Sequence, residues 1–249
     1  SPALHFAIEI FHDLAVERLL DEGASIGGRD QLRRTPLLVA VITRNANATR
    51  IILEEISQLT VGSKNARLHD FDVGGNTAVH YGTVDSRGGI LELLLRSGCS
   101  PDSINKDQLS PIHIAASEGN APVTSMLIEF GCDFEITDST GKSAIHRALQ
   151  HGHIAVVGIL LDNGARSIGF AKDNTTPLMA ARESFLLGNL GTDVLTRIDR
   201  VETAASLNEA QNRVEREIEK KRRKAKQKKA QKKRELEIKK NLKYKVRKK

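Results

Sequence analysis

A four-residue segment, Ser110-Pro111-Ile112-His113, returns along this chain in altered form at a fixed step. With its first residue as reference, the series runs Pro2, Thr35, Thr77, Ser110, Ser143 and Thr176. Each step is 33 residues except the one from Thr35 to Thr77, which is 42. A period of this length marks a chain built by stacking one supersecondary unit on copies of itself, because a single unit cannot bury its own apolar face. Other positions keep the same phase. His5, His80, His113 and His146 lie three residues after the reference, and the pairs Leu19-Leu20, Ile52-Leu53, Leu94-Leu95, Leu127-Ile128 and Leu160-Leu161 lie seventeen and eighteen after it. Gly23, Gly98, Gly131 and Gly164 follow at twenty-one.

Each unit reads as a turn, a short helix, a tight connection, a second helix and a glycine stop. Pro36, Pro111 and Pro177 suit the first turn of a helix, where a missing N–H costs nothing, and the Ser or Thr before each is a natural N-cap. Gly119 and Gly152 separate the two helices, and the later glycine falls where a helix C-terminus takes a left-handed residue.

These residues resemble the ankyrin-repeat family. Its Thr-Pro-Leu-His turn stands here as Ser110-Pro111-Ile112-His113, and its Gly-Ala-Asp element as Gly131-Cys132-Asp133 and Gly164-Ala165. The resemblance covers roughly residues 1–190. It implies an all-α solenoid of helix-turn-helix units with short β-turn or hairpin tips, over residues 1–205. Units begin near 1, 30, 72, 105, 138 and 171. Units one and six read as caps. Unit two has Ile56 in place of the stop glycine, and the nine extra residues within about 56–71 are expected to form a longer surface connection.

Charge falls into two blocks. Residues 209–249 hold 20 Lys and Arg against 6 Asp and Glu, whereas residues 1–208 hold 18 against 25. The tail, 206–249, lacks Pro and Gly, and as a continuous helix its last 41 residues would run roughly 60 Å at about 1.5 Å per residue. Its apolar residues keep no sustained heptad, which argues against a strong coiled coil. Like charges three and four apart repel, so such a helix is expected to order on an acidic partner. The densest stretch comprises Lys220, Lys221, Arg222, Arg223, Lys224, Lys226, Lys228, Lys229, Lys232, Lys233 and Arg234. It resembles a nuclear-import signal and would equally neutralise the phosphates of RNA or DNA. Membrane insertion is disfavoured, since no broad apolar face accompanies the polar one and no run approaches 18 apolar residues.

The histidines tempt a metal reading, yet equivalent positions in stacked units stand about one repeat apart, on the order of 10 Å, whereas zinc ligands converge within about 2 Å of the ion. The resemblance gives them a structural role, bracing the turn by hydrogen bonds. Cys99 and Cys132 follow stop glycines and read as small buried hydrophobes, too far apart for a disulfide. Unpaired thiols fit a reducing compartment, with localisation expected in the cytoplasm, the nucleus or both. Asp72-Val73-Gly74-Gly75-Asn76 reads as a turn rather than a phosphate loop. No cofactor, metal ligand set or catalytic constellation emerges.

In ankyrin proteins partners lie on the concave side, formed by turn tips and first-helix ends. By phase this selects Gln31, Leu32 and Arg34, then Val73 and Asn76, then Lys106, Asp107 and Leu109, then Ser139, Thr140 and Lys142 at the tips. Asp85, Glu118, Gln150 and His151 are the matching helix-end positions. Leu32 and Leu109 are the sharpest candidates, because a turn has no local need for an apolar side chain. The expected function is a non-catalytic adaptor that grips a protein and is tethered by its basic helix to nucleic acid or another acidic surface. Two alternatives stand beside it. One is a targeting region of a larger nucleic-acid-processing or trafficking enzyme; the other is a structural protein whose basic helix lies on acidic filaments. A further possibility is that the basic tail folds back on the acidic solenoid.

Overall fold

The computed structural model describes residues 2–85 and 88–165, together with Thr176, Met179, Thr196, Ile198 and Arg200. Within them run helices α1 (Pro2–Glu9), α2 (Asp13–Asp21), α3 (Pro36–Ile42), α4 (Ala46–Ser57), α5 (Val61–Leu68), α6 (Ala78–Gly82), α7 (Gly89–Arg96), α8 (Pro111–Glu118), α9 (Ala121–Glu129), α10 (Ala144–Gln150) and α11 (Ile154–Asp162). No strand occurs among the described residues, where one isolated bridge joins Phe71 and Thr77. Five helix pairs follow the 33-residue phase, and α5 stands outside it. First helices pack in series, α1 on α3, α3 on α6, α6 on α8 and α8 on α10, while α2 packs on α4, α4 on α7 and α9 on α11. The interior is a row of aliphatic side chains, with Leu38, Ile52, Leu91, Leu94, Ile112, Leu127, Ile145 and Leu149 fully buried. Stability in such a stack is the sum of units and the joints between them.

The first helices start as the sequence indicates. Ser110, Ser143 and Thr77 are extended N-cap residues whose hydroxyls accept the backbone N–H three residues on, while the histidine there takes the N-cap's own N–H on Nδ1. A ring nitrogen that accepts cannot carry the proton, so the hydrogen sits on Nε2. That Nε2–H reaches forward to the next unit: His5 to the Arg34 carbonyl, His80 to that of Leu109 and His113 to that of Lys142, each at 3.0 Å. Thr176 begins unit six in the same manner, its hydroxyl accepting the Met179 N–H at 3.2 Å. Second helices are capped by a different residue. Asn45, Asn120 and His12 accept from Ala48, Val123 and Ala15 respectively.

Each tip closes around one acceptor. Oδ1 of Asp30 accepts the N–H groups of Leu32 and Arg34, and Oδ1 of Asp72, Asn105 and Asp138 repeats this with the residues two and four on, at 2.7–3.0 Å. The fourth tip residue is left-handed in all four, as Arg33 (φ 60°), Gly75 (81°), Gln108 (57°) and Gly141 (80°). At Gly75 a Cβ would also come within 3.0 Å of the Lys106 nitrogen, so the neighbouring tip demands a glycine there. Successive tips are joined sideways, Val73 N–H to the Leu32 carbonyl, Lys106 N–H to that of Gly74 and Ser139 N–H to that of Asp107.

Unit two departs from the surface connection expected over 56–71. The extra residues form helix α5, anchored by Leu68, which is only 2% exposed. Unit two also has Leu38 where units one, three, four and five carry histidine, so its forward hydrogen bond is absent. Another joint occupies that place. Arg29, just before the second tip, donates to the Asp70 carboxylate at 2.6 Å and to the Phe71 carbonyl at 3.0 Å, and Arg67 of α5 reaches Asp70 at 3.2 Å. The residues added by the insertion thus hold the joint that lacks a histidine.

Of the chain beyond unit five, Met179, Thr196, Ile198 and Arg200 are helical, and Ile198 is completely buried. The basic helix expected over 206–249 lies outside the described residues.

Burial pushes the imidazoles of His80 and His113 below their ordinary value, outweighing the forward hydrogen bonds that act the other way. The unfolded chain therefore binds protons at these residues that the folded chain refuses. Their contribution is complete above about pH 6.5 and is lost as pH falls below it. Denaturant midpoints should accordingly drop between pH 7.5 and 5.5. Replacing His113 by Gln should cost about 1–3 kcal/mol at pH 7.5 and make the remaining pH slope shallower. At the exposed, left-handed Gln108 no side chain is required. Gln108→Gly should raise stability by up to about 1 kcal/mol, measured by the same denaturation, as the left-handed penalty outweighs the entropy of glycine.

Candidate functional site

The residues with no place in the stack are those on the tips. Backbone N–H groups there are taken by the Asp or Asn acceptor and by the adjoining tip, so exposed tip side chains project from a backbone that is already satisfied. Gln31, Lys106, Asp107, Ser139 and Thr140 are exposed, as are Leu32 at 52% and Val73 at 46%. Arg34, Asn76, Leu109 and Lys142 occupy the last position of each tip and are half-buried. Three of the four supply the carbonyls that receive the histidine bonds. Leu109 therefore departs from the expectation of a free apolar tip, while Leu32 stands clear in solvent. At the helix ends Glu118, Gln150 and His151 are exposed and Asp85 is half-buried. His151 stacks on His153 with ring centres 5.9 Å apart.

The groove behind the tips is lined differently in each unit, through the residue nine after the tip acceptor. Tyr81 donates its hydroxyl to Asp72 at 2.5 Å, and Arg147 donates to Asp138 through Nε and Nη2 at 2.8 and 2.5 Å. Burial alone would raise the Asp138 carboxyl, but hydrogen bonds from Thr140, Lys142 and Arg147 prevail and hold it down at about 2. Burial likewise acts against Asp72, and its hydrogen bonds from Tyr81, Asn76 and Gly74 win, leaving it below the ordinary range. These carboxylates stay charged and engaged with their own tips. At the second tip the groove widens into an open cleft of about 710 Å³ between α1 and residues 29–34, with Phe6, Leu32 and Pro2 as its apolar wall and Glu9, Arg29 and Gln31 at its rim. Sequence reasoning missed this cleft, which depends on how α1 faces the tip after it.

The other candidate chemistry is accounted for by structure. His5, His80 and His113 link units, Nδ1 of His69 bonds the Asn65 carbonyl, and His153 bonds the Ser117 carbonyl. No cluster of three His, Cys, Asp or Glu side chains suited to a metal exists among the described residues. Cys99 and Cys132 are free and buried, each pushed up to about 12 chiefly by burial, so neither is a thiolate nucleophile at neutral pH. Asp72–Asn76 forms the third tip, its turn closed by the Asp72 carboxylate. Among the described residues no helix is long and apolar enough to cross a membrane. The basic residues from Lys220 to Arg234 lie outside the described residues.

A family model of ankyrin repeats in three copies matches residues 84–169. An ankyrin repeat protein of fowlpox virus is 27% identical over 118 residues, 47% of this chain and 76% of the viral protein. The fold is similar to the crystal structure of an ankyrin repeat domain from Acinetobacter baumannii, with a TM-score of 0.67 at 23% identity over 79% of this chain and 97% of that one. Ankyrin repeats are scaffolds for protein–protein interaction, a role that rests on variable surface residues over a constant frame. The capped helix pairs, the acceptor-closed tips and these matches agree: residues 84–169 match the ankyrin-repeat family, and the fold is that of an ankyrin-repeat domain.

Proposed function

We propose that the chain is a non-catalytic adaptor that grips a protein partner along its tips and first-helix ends, and that its basic segment ties the assembly to nucleic acid or another polyanion. One observation carries the first half: exposed side chains of mixed character stand in a row on tips whose backbone is fixed from within and from the side. Order of this kind lowers the entropy lost on binding. Leu32, Val73 and the wall of the cleft supply apolar contact, and Gln31, Lys106, Asp107, Ser139, Thr140, Glu118, Gln150 and His151 supply polar selection. Such a mixture suits a folded protein or peptide better than a phosphate backbone, which asks for uniform positive charge. The second half rests on the charge of residues 209–249 alone.

Leu32→Asp combined with Val73→Asp should leave the melting temperature nearly unchanged, since both side chains are exposed, and should weaken capture of the partner at least tenfold in affinity purification. Unchanged recovery of every specific partner would remove the tips from the reading. Truncation at residue 208 should abolish retention of RNA or DNA and its steep salt dependence while sparing the protein partner. Loss of both together would show that they are not separate modules.

A further inference from the structure

The two ends of a repeat stack differ from its middle, because a terminal unit that faces water on one side normally carries polar residues there. Unit one does not. Six of its positions are more exposed than every described equivalent in units three to five. Ala3 is exposed, whereas Pro36, Ala78, Pro111 and Ala144 are buried. Phe6 is 61% exposed, against buried Val39 and half-buried Tyr81, Ile114 and Arg147. Ala15 is half-buried where Ala48, Ile90, Val123 and Val156 are buried, and Leu19 is half-buried where Ile52, Leu94, Leu127 and Leu160 are buried. Ala24 is half-buried where Cys99, Cys132 and Ala165 are buried, although the unit-two equivalent, Ser57, is exposed.

The sixth position is polar, and it carries a direction. Asn45, Asn120 and His153 each donate a side-chain hydrogen bond backwards, to the carbonyls of Ile8, Thr83 and Ser117 in the preceding unit. His12 occupies their place, exposed, with Nδ1 occupied by the Ala15 N–H so that its ring hydrogen is on Nε2. Nε2 is also the nitrogen through which His153 bonds the Ser117 carbonyl at 2.8 Å. Unit one was expected to be a cap. Its outer face instead has the composition that later units bury against their predecessors.

We propose that the face formed by Ala3, Phe6, His12, Ala15, Leu19 and Ala24 seats a further helix pair of the same build, joined in series ahead of α1 as α1 and α2 stand ahead of α3 and α4. This face continues the interface already running through the array. It offers apolar surface at the positions of the interior joints and a donor placed for a carbonyl of the added pair.

The test places a copy of residues 105–137 ahead of residue 1 in the full chain. The expected result is a single cooperative unfolding transition at higher denaturant than for the chain alone, with slowed hydrogen exchange in α1 and α2. Phe6→Glu or Leu19→Glu should abolish that gain, and His12→Phe should reduce it. Two results would overturn the proposal. One is an added unit that melts separately and leaves exchange in α1 unchanged. The other is a chain that without the addition sediments as a dimer dissociated by Phe6→Glu, which would make a second copy the occupant.

Discussion

A neutral histidine that donates forward is the interaction on which this array depends. His80 and His113 each close the start of their own helix with Nδ1 and fasten the next tip with Nε2, and His5 fastens the tip after it in the same way. One side chain thereby sets local structure and the spacing between units together. The aliphatic pairs beneath supply most of the burial, but they are non-directional and would tolerate sliding. A hydrogen bond to a particular carbonyl does not. It fixes which tip lies over which helix and brings the tips close enough to bond one another sideways.

The tips show how the same frame serves as surface. Their acceptor residues, Asp30, Asp72, Asn105 and Asp138, gather the backbone donors inward, and the middle residues are left to face solvent. Variation is cheap at Gln31, Val73, Lys106 and Ser139, because nothing in the turn relies on them. It is costly at the acceptor one position before each. A protein partner would therefore meet a row of changeable side chains on an unchanging rail, the physical condition for one fold to acquire many specificities.

Much of this was legible before any coordinates. The phase of Ser110-Pro111-Ile112-His113 identified the helix starts, the structural histidines and the buried thiols, since each depends on contacts repeated at a fixed step. What the sequence concealed is what does not repeat. Helix α5 has a single buried apolar anchor, Leu68, and a polar remainder, so periodicity could not distinguish it from a loop. Leu109 looked like a free apolar tip, yet its place under the His80 bond half-buries it. The character of unit one was hidden for a related reason. Its residues follow the common pattern, and only their exposure reveals that one side of the pattern is unmet.

Leu38 gives the array an uneven response to acid. The joints closed by His80 and His113 loosen when the ring gains its second proton, because a doubly protonated imidazole can no longer accept the N-cap's N–H. The joint after unit two contains no such ring. Arg29 and Asp70 close it instead, a guanidinium bound to a carboxylate. As pH falls, the array would part first at the joints after units three and four, and the joint between units two and three would outlast them.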